Sequence, residues 1–227
     1  MSRPEGTQAP DAFYDETEAR KYDSSSRMRI IQTEITERAI EMLSLPTGHP
    51  SYILDIGCGS GLSGEVLEEA GHYWTGVDVS RSMLEVATER EMETGDFVHH
   101  DIGLGLPFRP ATFDGVISIS AIQWLCYSER SDQDPKLRLN RFFSSLYTVL
   151  KKNAKAILQF YPESPEQAVL IMQCASRVGF AGGLVVDYPN STKAKKYYLC
   201  LSFERSYQVP TALGVEGAVE SVARSSR

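Results

Sequence analysis

Three carboxylates, Asp55, Asp78 and Asp101, each stand at or just after the end of a short apolar run. The first opens Asp55-Ile56-Gly57-Cys58-Gly59-Ser60-Gly61, where glycines at alternating positions let the backbone turn sharply and approach a ligand without Cβ interference. A helix starting behind such a loop offers unpaired N–H groups and a partial positive charge. Gly57, Gly59 and Gly61 therefore read as a ligand cradle rather than a plain turn.

Which ligand it holds is a closer question. Gly59-Ser60-Gly61-Leu62-Ser63-Gly64 also fits the dinucleotide pattern G-x-G-x-x-G. Asp55 argues against that reading, because a carboxylate inside the cradle repels a pyrophosphate yet accepts hydrogen bonds from a cationic ligand. S-adenosylmethionine carries an ammonium and a sulfonium. Asp78 can accept from both ribose hydroxyls of either ligand, and Asp101 is placed to meet an adenine amino group, with Ile102 packing on the ring. Taken singly, Asp78 and Asp101 also suit a solvated loop. At successive strand ends the three carboxylates point to a ligand outside the carboxyl edge of an open α/β sheet.

The surrounding pattern supplies that sheet. Arg27 to Leu45 has apolar residues every three to four positions, the spacing of an amphipathic helix, ended by Pro46, Gly48 and Pro50. Strand, helix, strand and helix then follow at 52–56, 62–70, 73–77 and 82–90. Further strands are expected at 96–100, 113–120 and 154–160, with helices at 137–150 and 165–179. Two strands at about 184–188 and 196–203, joined through Pro189-Asn190-Ser191, read as a closing hairpin. The alternation predicts an α/β, Rossmann-like fold: a seven-stranded, mostly parallel sheet with a C-terminal antiparallel hairpin and helices on both faces. The strand at 96–100 is expected at the sheet edge.

Composition fits one domain with trimmings. The chain has 227 residues, 42% hydrophobic and 23% charged, enough apolar material for a sizeable core. Mean hydropathy is −0.25, and no apolar run approaches the roughly 18 to 20 residues that cross a bilayer. Met1 to Asp11 lacks the apolar centre of a secretory signal, so residence in cytosol or nucleus is expected. Residues 1–110 hold 9 Lys+Arg against 20 Asp+Glu, whereas residues 111–227 hold 14 against 10. A sequence pI near 5.2 excludes indiscriminate nucleic-acid binding but leaves room for a local basic face. Cys58, Cys126, Cys174 and Cys200 have neither zinc-ligand spacing nor the density of a disulfide framework, and read as reduced thiols.

Asp55-Ile56-Gly57-Cys58-Gly59-Ser60-Gly61 followed by Gly76-Val77-Asp78-Val79-Ser80 resembles the class I S-adenosylmethionine-dependent methyltransferases. More distinctive are residues 13–22 (FYDETEARKY), 71–74 (GHYW), 118–125 (SISAIQWL), 185–191 (VVDYPNS) and 193–201 (KAKKYYLCL). These resemble the eukaryotic 18S rRNA (guanine-N7) methyltransferase family of small-subunit biogenesis, over about residues 12–203. The resemblance implies a catalytic domain at 12–206 between a flexible lead at 1–11 and a disordered C-terminal segment at 207–227. It implies S-adenosylmethionine as methyl donor, with Tyr14, Tyr22, Asp55, Gly57, Gly59, Gly61, Asp78, Val79, Asp101, Ile102 and Ser118 around it. It also implies a nuclear and cytoplasmic protein that meets 18S rRNA in pre-40S particles and pairs with a small zinc-binding methyltransferase activator, the zinc belonging to that partner. Members of the family usually continue into a Lys/Arg-rich extension; here the last stretch is nondescript, which leaves autonomous nuclear import and full RNA affinity open.

The implied reaction places its own demands. Guanine N7 has an in-plane lone pair and no proton at neutral pH, so no general base is required, and catalysis comes from alignment and water exclusion. Ser120, Gln123 and Trp124, after the fourth strand, are the candidates for handling the base, with Tyr161 a second wall. Trp124 suits stacking on guanine or an ordinary core position. Tyr14 and Tyr22 suit a lid over the cofactor or core packing. Lys193, Lys195 and Lys196, with Lys151, Lys152 and Lys155 as a second cluster, suit either RNA phosphates or a solvated face. His99 and His100 read as ordinary strand residues, and no metal site is expected in this chain. Two rivals remain: a methyltransferase acting on a small molecule, favoured by a compact pocket roofed by residues 11–26, and a cofactor-binding assembly factor whose turnover is dispensable.

Overall fold

Strand β1 (Tyr52–Ile56) is buried along almost its whole length, because it lies between two parallel neighbours, β2 (Tyr73–Asp78) and β4 (Phe113–Ile119). The computed structural model describes residues 4–127 and 134–215. Beyond β2 lies β3 (Gly95–His99), and beyond β4 lie β5 (Leu150–Phe160), β7 (Lys196–Ser202) and β6 (Ala181–Asp187). The order is β3-β2-β1-β4-β5-β7-β6, with β7 antiparallel to both neighbours. The expected sheet, its hairpin and the edge position of β3 are all present. The order reverses direction between β1 and β4, the place where open α/β sheets leave a crevice at their carboxyl edge.

Alternation along the strands divides the core. Ile53, Ile117 and Ile157 point to one face with Ile35, Ala39, Met42 and Leu43 of helix α3 (Ser26–Leu43). Leu54, Ile56, Val116 and Leu158 point to the other. There they meet Phe142, Phe143 and Leu146 of α6 (Pro135–Val149) and Ile171 and Cys174 of α7 (Pro165–Arg177). Ser25 caps α3 by accepting from the Met28 N–H, and Ser44 ends it in the left-handed region at φ 50°. Cys58, Cys174 and Cys200 are buried free thiols, and Cys126 is half-buried.

Both termini depart from expectation. Residues 4–11 are assigned by the sequence to a flexible lead, yet Pro4–Gly6 forms a 3-10 turn and α1 (Pro10–Phe13) follows it. Residues 207–215 are assigned to a disordered segment, yet they are tied to the sheet. Arg38 donates to the Asp187 carboxylate at 3.0 Å and to the Thr211 carbonyl at 2.8 Å, and Asp187 accepts from the Leu213 N–H at 2.8 Å. A carboxylate 2% exposed needs such partners, and nothing local in the sequence announces them. Residues 1–3 and 216–227 lie outside the described residues.

Candidate active site

The carboxyl ends of β1, β2, β4 and β5, closed over by α1 and α2 (Glu16–Ser24), surround a cavity of about 340 Å³. That is the lower range for a small-molecule site. Asp78, Val79, Asp101 and Ile102 line it from beyond β2 and β3, with Gly57, Gly59, Ser60 and Met83; Ser120, Gln123, Trp124 and Tyr161 line it from beyond β4 and β5. Tyr14 and Tyr22 lie against it from the lid.

The glycine loop is shaped from beneath. Gly57 has φ 69°, and a Cβ there would lie 2.2 Å from the Cβ of Ala121, so only glycine lets this loop pass the one after β4. Gly57 and Cys58 both donate to the Val77 carbonyl, at 2.7 and 3.1 Å. The Gly59 N–H donates to Asp78 at 2.9 Å, and the other Asp78 oxygen accepts from the Ser80 N–H at 2.8 Å. The carboxylate thus occupies the loop donor that a diphosphate would need. Gly64, the last glycine of the dinucleotide-like pattern, lets the helix pack closely on the strand: a Cβ there would sit 2.3 Å from the Trp74 indole.

Not every expected residue reaches the cavity. Asp55 lies fully buried and outside the cavity wall; one oxygen accepts from the Ser63 hydroxyl and the other has no partner among the described residues. Burial pushes its carboxyl up to about 7, opposed by Ser63 and aided by Asp78. Asp78 is raised by burial too, against the pull of its backbone donors. Ser118 is fully buried and donates to the Ile56 carbonyl at 2.8 Å, so it fastens β4 to β1 and stands outside the wall. Gly61 caps α4 (Leu62–Glu69) beneath Met92 and Arg90, also outside the wall.

Asp101 is already engaged. Its Oδ1 accepts from the Gly103 N–H at 2.8 Å and from Arg138 of α6 at 2.7 Å. Arg138, 7% exposed, is a site residue the sequence reading missed, although a charge on the apolar face of a helix is itself a signal. Gln159 was missed as well. It is fully buried in β5, and its Oε1 accepts from both the N–H and the hydroxyl of Ser120, at 2.9 and 2.8 Å. Ser120 has φ 57°, a left-handed conformation unusual for a residue with a side chain. The Gln123 amide donates to the Ser120 carbonyl at 2.9 Å and to Glu5 at 3.1 Å. A polar network thus fixes the loop after β4.

The lid is aromatic inside and ionic outside. The ring of Tyr14 lies 5.9 Å from that of Tyr22 and 6.1 Å from that of Trp124, centroid to centroid, and Phe13 also meets Trp124. Burial, aided by Glu5, pushes the Tyr14 phenol up to about 12. At the rim Arg20 pairs with Glu89 at 3.0 Å, and Arg90, 7% exposed at its side chain, bridges Asp23 of the lid to Glu65 and the Ser60 carbonyl.

The two lysine clusters part company. Because β7 runs antiparallel to β5, Lys196 begins β7 beside the carboxyl end of β5, with its Nζ 5.7 Å from the Tyr161 ring centroid. Lys193, Lys195 and Lys196 therefore stand near the mouth, but Lys196 is folded back, its ammonium donating to the carbonyls of Lys193, Ala194 and Lys195. Lys151 and Lys155 are at the opposite edge, one bonded to Asp114 at 2.7 Å and the other over the Tyr207 ring. The His99 and His100 rings are within hydrogen-bond distance of the Val79 and Gly105 carbonyls, at 2.9 and 2.7 Å.

Residues 54–158 match the family described as "Methyltransferase domain". A mouse protein named "18S rRNA (guanine-N(7))-methyltransferase" is 54% identical over 99% of this chain and 81% of its own length. A Saccharomyces cerevisiae protein, "18S rRNA (guanine(1575)-N(7))-methyltransferase", is 54% identical over 84% of this chain and 69% of its own length. Among solved structures, a TehB-like SAM-dependent methyltransferase of Corynebacterium glutamicum aligns with TM-score 0.61 at 16% identity, covering 84% of this chain and all of its own. The methyltransferase in a complex with the Haloferax volcanii Trm112 methyltransferase activator aligns with TM-score 0.58 at 17% identity, covering 82% of this chain and 98% of its own. At those identities the structures speak to fold alone.

Proposed function

The chain belongs to the 18S rRNA (guanine-N7)-methyltransferase family, and from that membership we propose that it methylates N7 of a guanine in 18S rRNA during assembly of the 40S subunit. The observation that carries this reading is identity above half across nearly the whole chain. The site suits the donor: a glycine cradle, a Ser60 hydroxyl without a partner among the described residues, and acidic groups at the strand ends favour a cationic nucleoside over a diphosphate. S-adenosylmethionine, when bound, supplies a methyl on an activated sulfonium, so that N7 forms its bond to carbon as the carbon–sulfur bond breaks to a neutral thioether.

The chain's own residues bind, orient and exclude water. Asp78 and Val79 hold the ribose end, and Asp101 with Ile102 meets the adenine, Asp101 being steadied by Arg138. Asp55, below the loop, acts through its charge and through Ser63. Tyr14 and Tyr22 cover the donor. Trp124, Gln123, Ser120 and Tyr161 form the acceptor end, where an indole face stacks on a purine and the Gln159-anchored loop sets its position. No proton has to move.

A roofed cavity is also what a small-molecule acceptor asks for. An extruded nucleotide meets the same requirement, entering as a single base while its backbone stays at the mouth near Lys193 and Lys195. The edge strand β3 offers backbone groups to a small zinc-binding activator, the archaeal neighbour being itself in a complex with a methyltransferase activator, and the pair works in the nucleus and cytoplasm. The test is to map N7-methylguanine in 18S rRNA of cells whose sole copy is the native chain or Asp78→Ala. The native chain should restore the mark and the variant should not. Pre-ribosome processing that persisted with the variant would make the assembly-factor role the essential one.

A further inference from the structure

On the reading that the acceptor is a guanine, we infer that Glu5 is the residue that reads its N1–H and N2–H edge. Glu5 lies on the 3-10 turn Pro4–Gly6 and lines the same cavity as Gln123 and Trp124. The Gln123 amide donates to one Glu5 oxygen at 3.1 Å and so fixes the carboxylate across the cavity. The other Glu5 oxygen is buried with no partner among the described residues, as is the Gln123 carbonyl oxygen. A buried carboxylate oxygen without a donor is costly, and a donor on the ligand removes that cost.

The chemistry of the bases selects the ligand. Guanine presents N1–H and N2–H side by side, a pair of donors that matches the two oxygens of a carboxylate. Adenine presents an acceptor at N1, and so cannot satisfy Glu5 in this way. N7 lies on the opposite edge of the purine, so a guanine gripped by Glu5 turns N7 away from it, toward the glycine-loop end. Transfer also moves a positive charge from sulfur onto the base, which strengthens N1–H and N2–H as donors. Glu5 therefore binds the transition state more tightly than the ground state. Of the other carboxylates in the wall, Asp78 has both oxygens on the Gly59 and Ser80 N–H groups and Asp101 is ion-paired with Arg138, whereas Glu5 meets only a neutral amide through one oxygen.

The test uses the full chain in complex with its activator, together with S-adenosylmethionine and an 18S rRNA fragment containing the guanine that corresponds to position 1575 of the yeast relative. A second fragment carries inosine there, which keeps N7 and N1–H but lacks the N2 amino group. The native chain should favour guanine about 10- to 100-fold, and Glu5→Ala should lower transfer to guanine until the preference nearly vanishes. In a binding measurement without turnover, Glu5→Gln should weaken 7-methylguanosine 5′-monophosphate about 10-fold or more in the S-adenosylhomocysteine complex, leaving S-adenosylhomocysteine affinity unchanged. An equal loss on both fragments, or a preference that survives in Glu5→Ala, overturns the inference. Failure of the native chain to methylate guanine overturns the functional reading itself.

Discussion

The two ends of the cavity are built in opposite ways. The end proposed for the cofactor comes from consecutive strand ends of one sheet, with Asp78 accepting from the loop's own Gly59 N–H and from Ser80 two residues on. The acceptor end comes from segments far apart in the chain: Gln123 holds Glu5, and Gln159 holds Ser120. The first end is rigid because its polar groups and its backbone are one local motif. The second depends on three separate segments arriving together, and a change in any of them should move the base more than the cofactor.

Asp78→Ala should break the cofactor end outright. It removes the ribose acceptor and strands two backbone N–H groups, so affinity for S-adenosylhomocysteine in calorimetry should fall about 100-fold or more. At the other end, Trp124→Ala should cut methyl transfer by about 10- to 100-fold, with a much smaller loss of cofactor affinity, since its ring is the wall proposed for the base and reaches the donor's cover only through Tyr14. Trp124→Phe, which keeps an aromatic face, should recover most of the rate. Equal losses in both measurements would erase the division between the ends.

Arg138→Met sharpens the comparison from outside the sheet. Released from α6, Asp101 should hold the adenine poorly, and cofactor affinity should drop by about 10-fold. The pH dependence is smaller. Asp55 has its carboxyl raised from the ordinary 3.8 to about 7, so the folded chain without ligand holds a proton that the unfolded chain has lost. Stability from this group is full below the unfolded value and declines as pH rises through about 7. Asp55→Asn should flatten that decline in denaturation midpoints measured at pH 5, 6 and 8, and a cationic ligand should bind with proton release over the same window. The least effect belongs to the mouth: Lys193→Ala with Lys195→Ala should lower the salt slope of RNA binding by about one or two, and Lys196→Ala should add little because its ammonium is turned onto its own turn.

The order of strands and helices was legible from Ser26 onward, although β5 begins at Leu150 instead of 154, β6 at Ala181 instead of about 184, and the helices α1 and α2 were not expected. Tyr52–Ile56 is found at its expected bounds, and α3 at Ser26–Leu43 differs from 27–45 by one or two positions at each end. The meeting of the glycine loop with Asp78 was legible for the same reason, since the loop and the carboxylate after the next strand are near one another in sequence. The errors arose where position in the fold decides a role. Ser118 looks like a cavity residue from its neighbours, but alternation on β4 turns it under the loop to Ile56. Lys151 and Lys155 resemble Lys193 in composition, and only the direction of β5 sends them to the far edge.

By itself, then, the sequence settled the elements, the cradle and the order of carboxylates along the sheet, because period, glycine and strand ends act over a few residues. Tertiary structure alone decided that a glutamate from the first few residues faces an amide from position 123, that Arg138 clamps Asp101, and that residues 207–215 close over Arg38 and Asp187. Such pairings arise from the return of distant segments to one another as the core is buried, and no local pattern along the chain encodes where they meet.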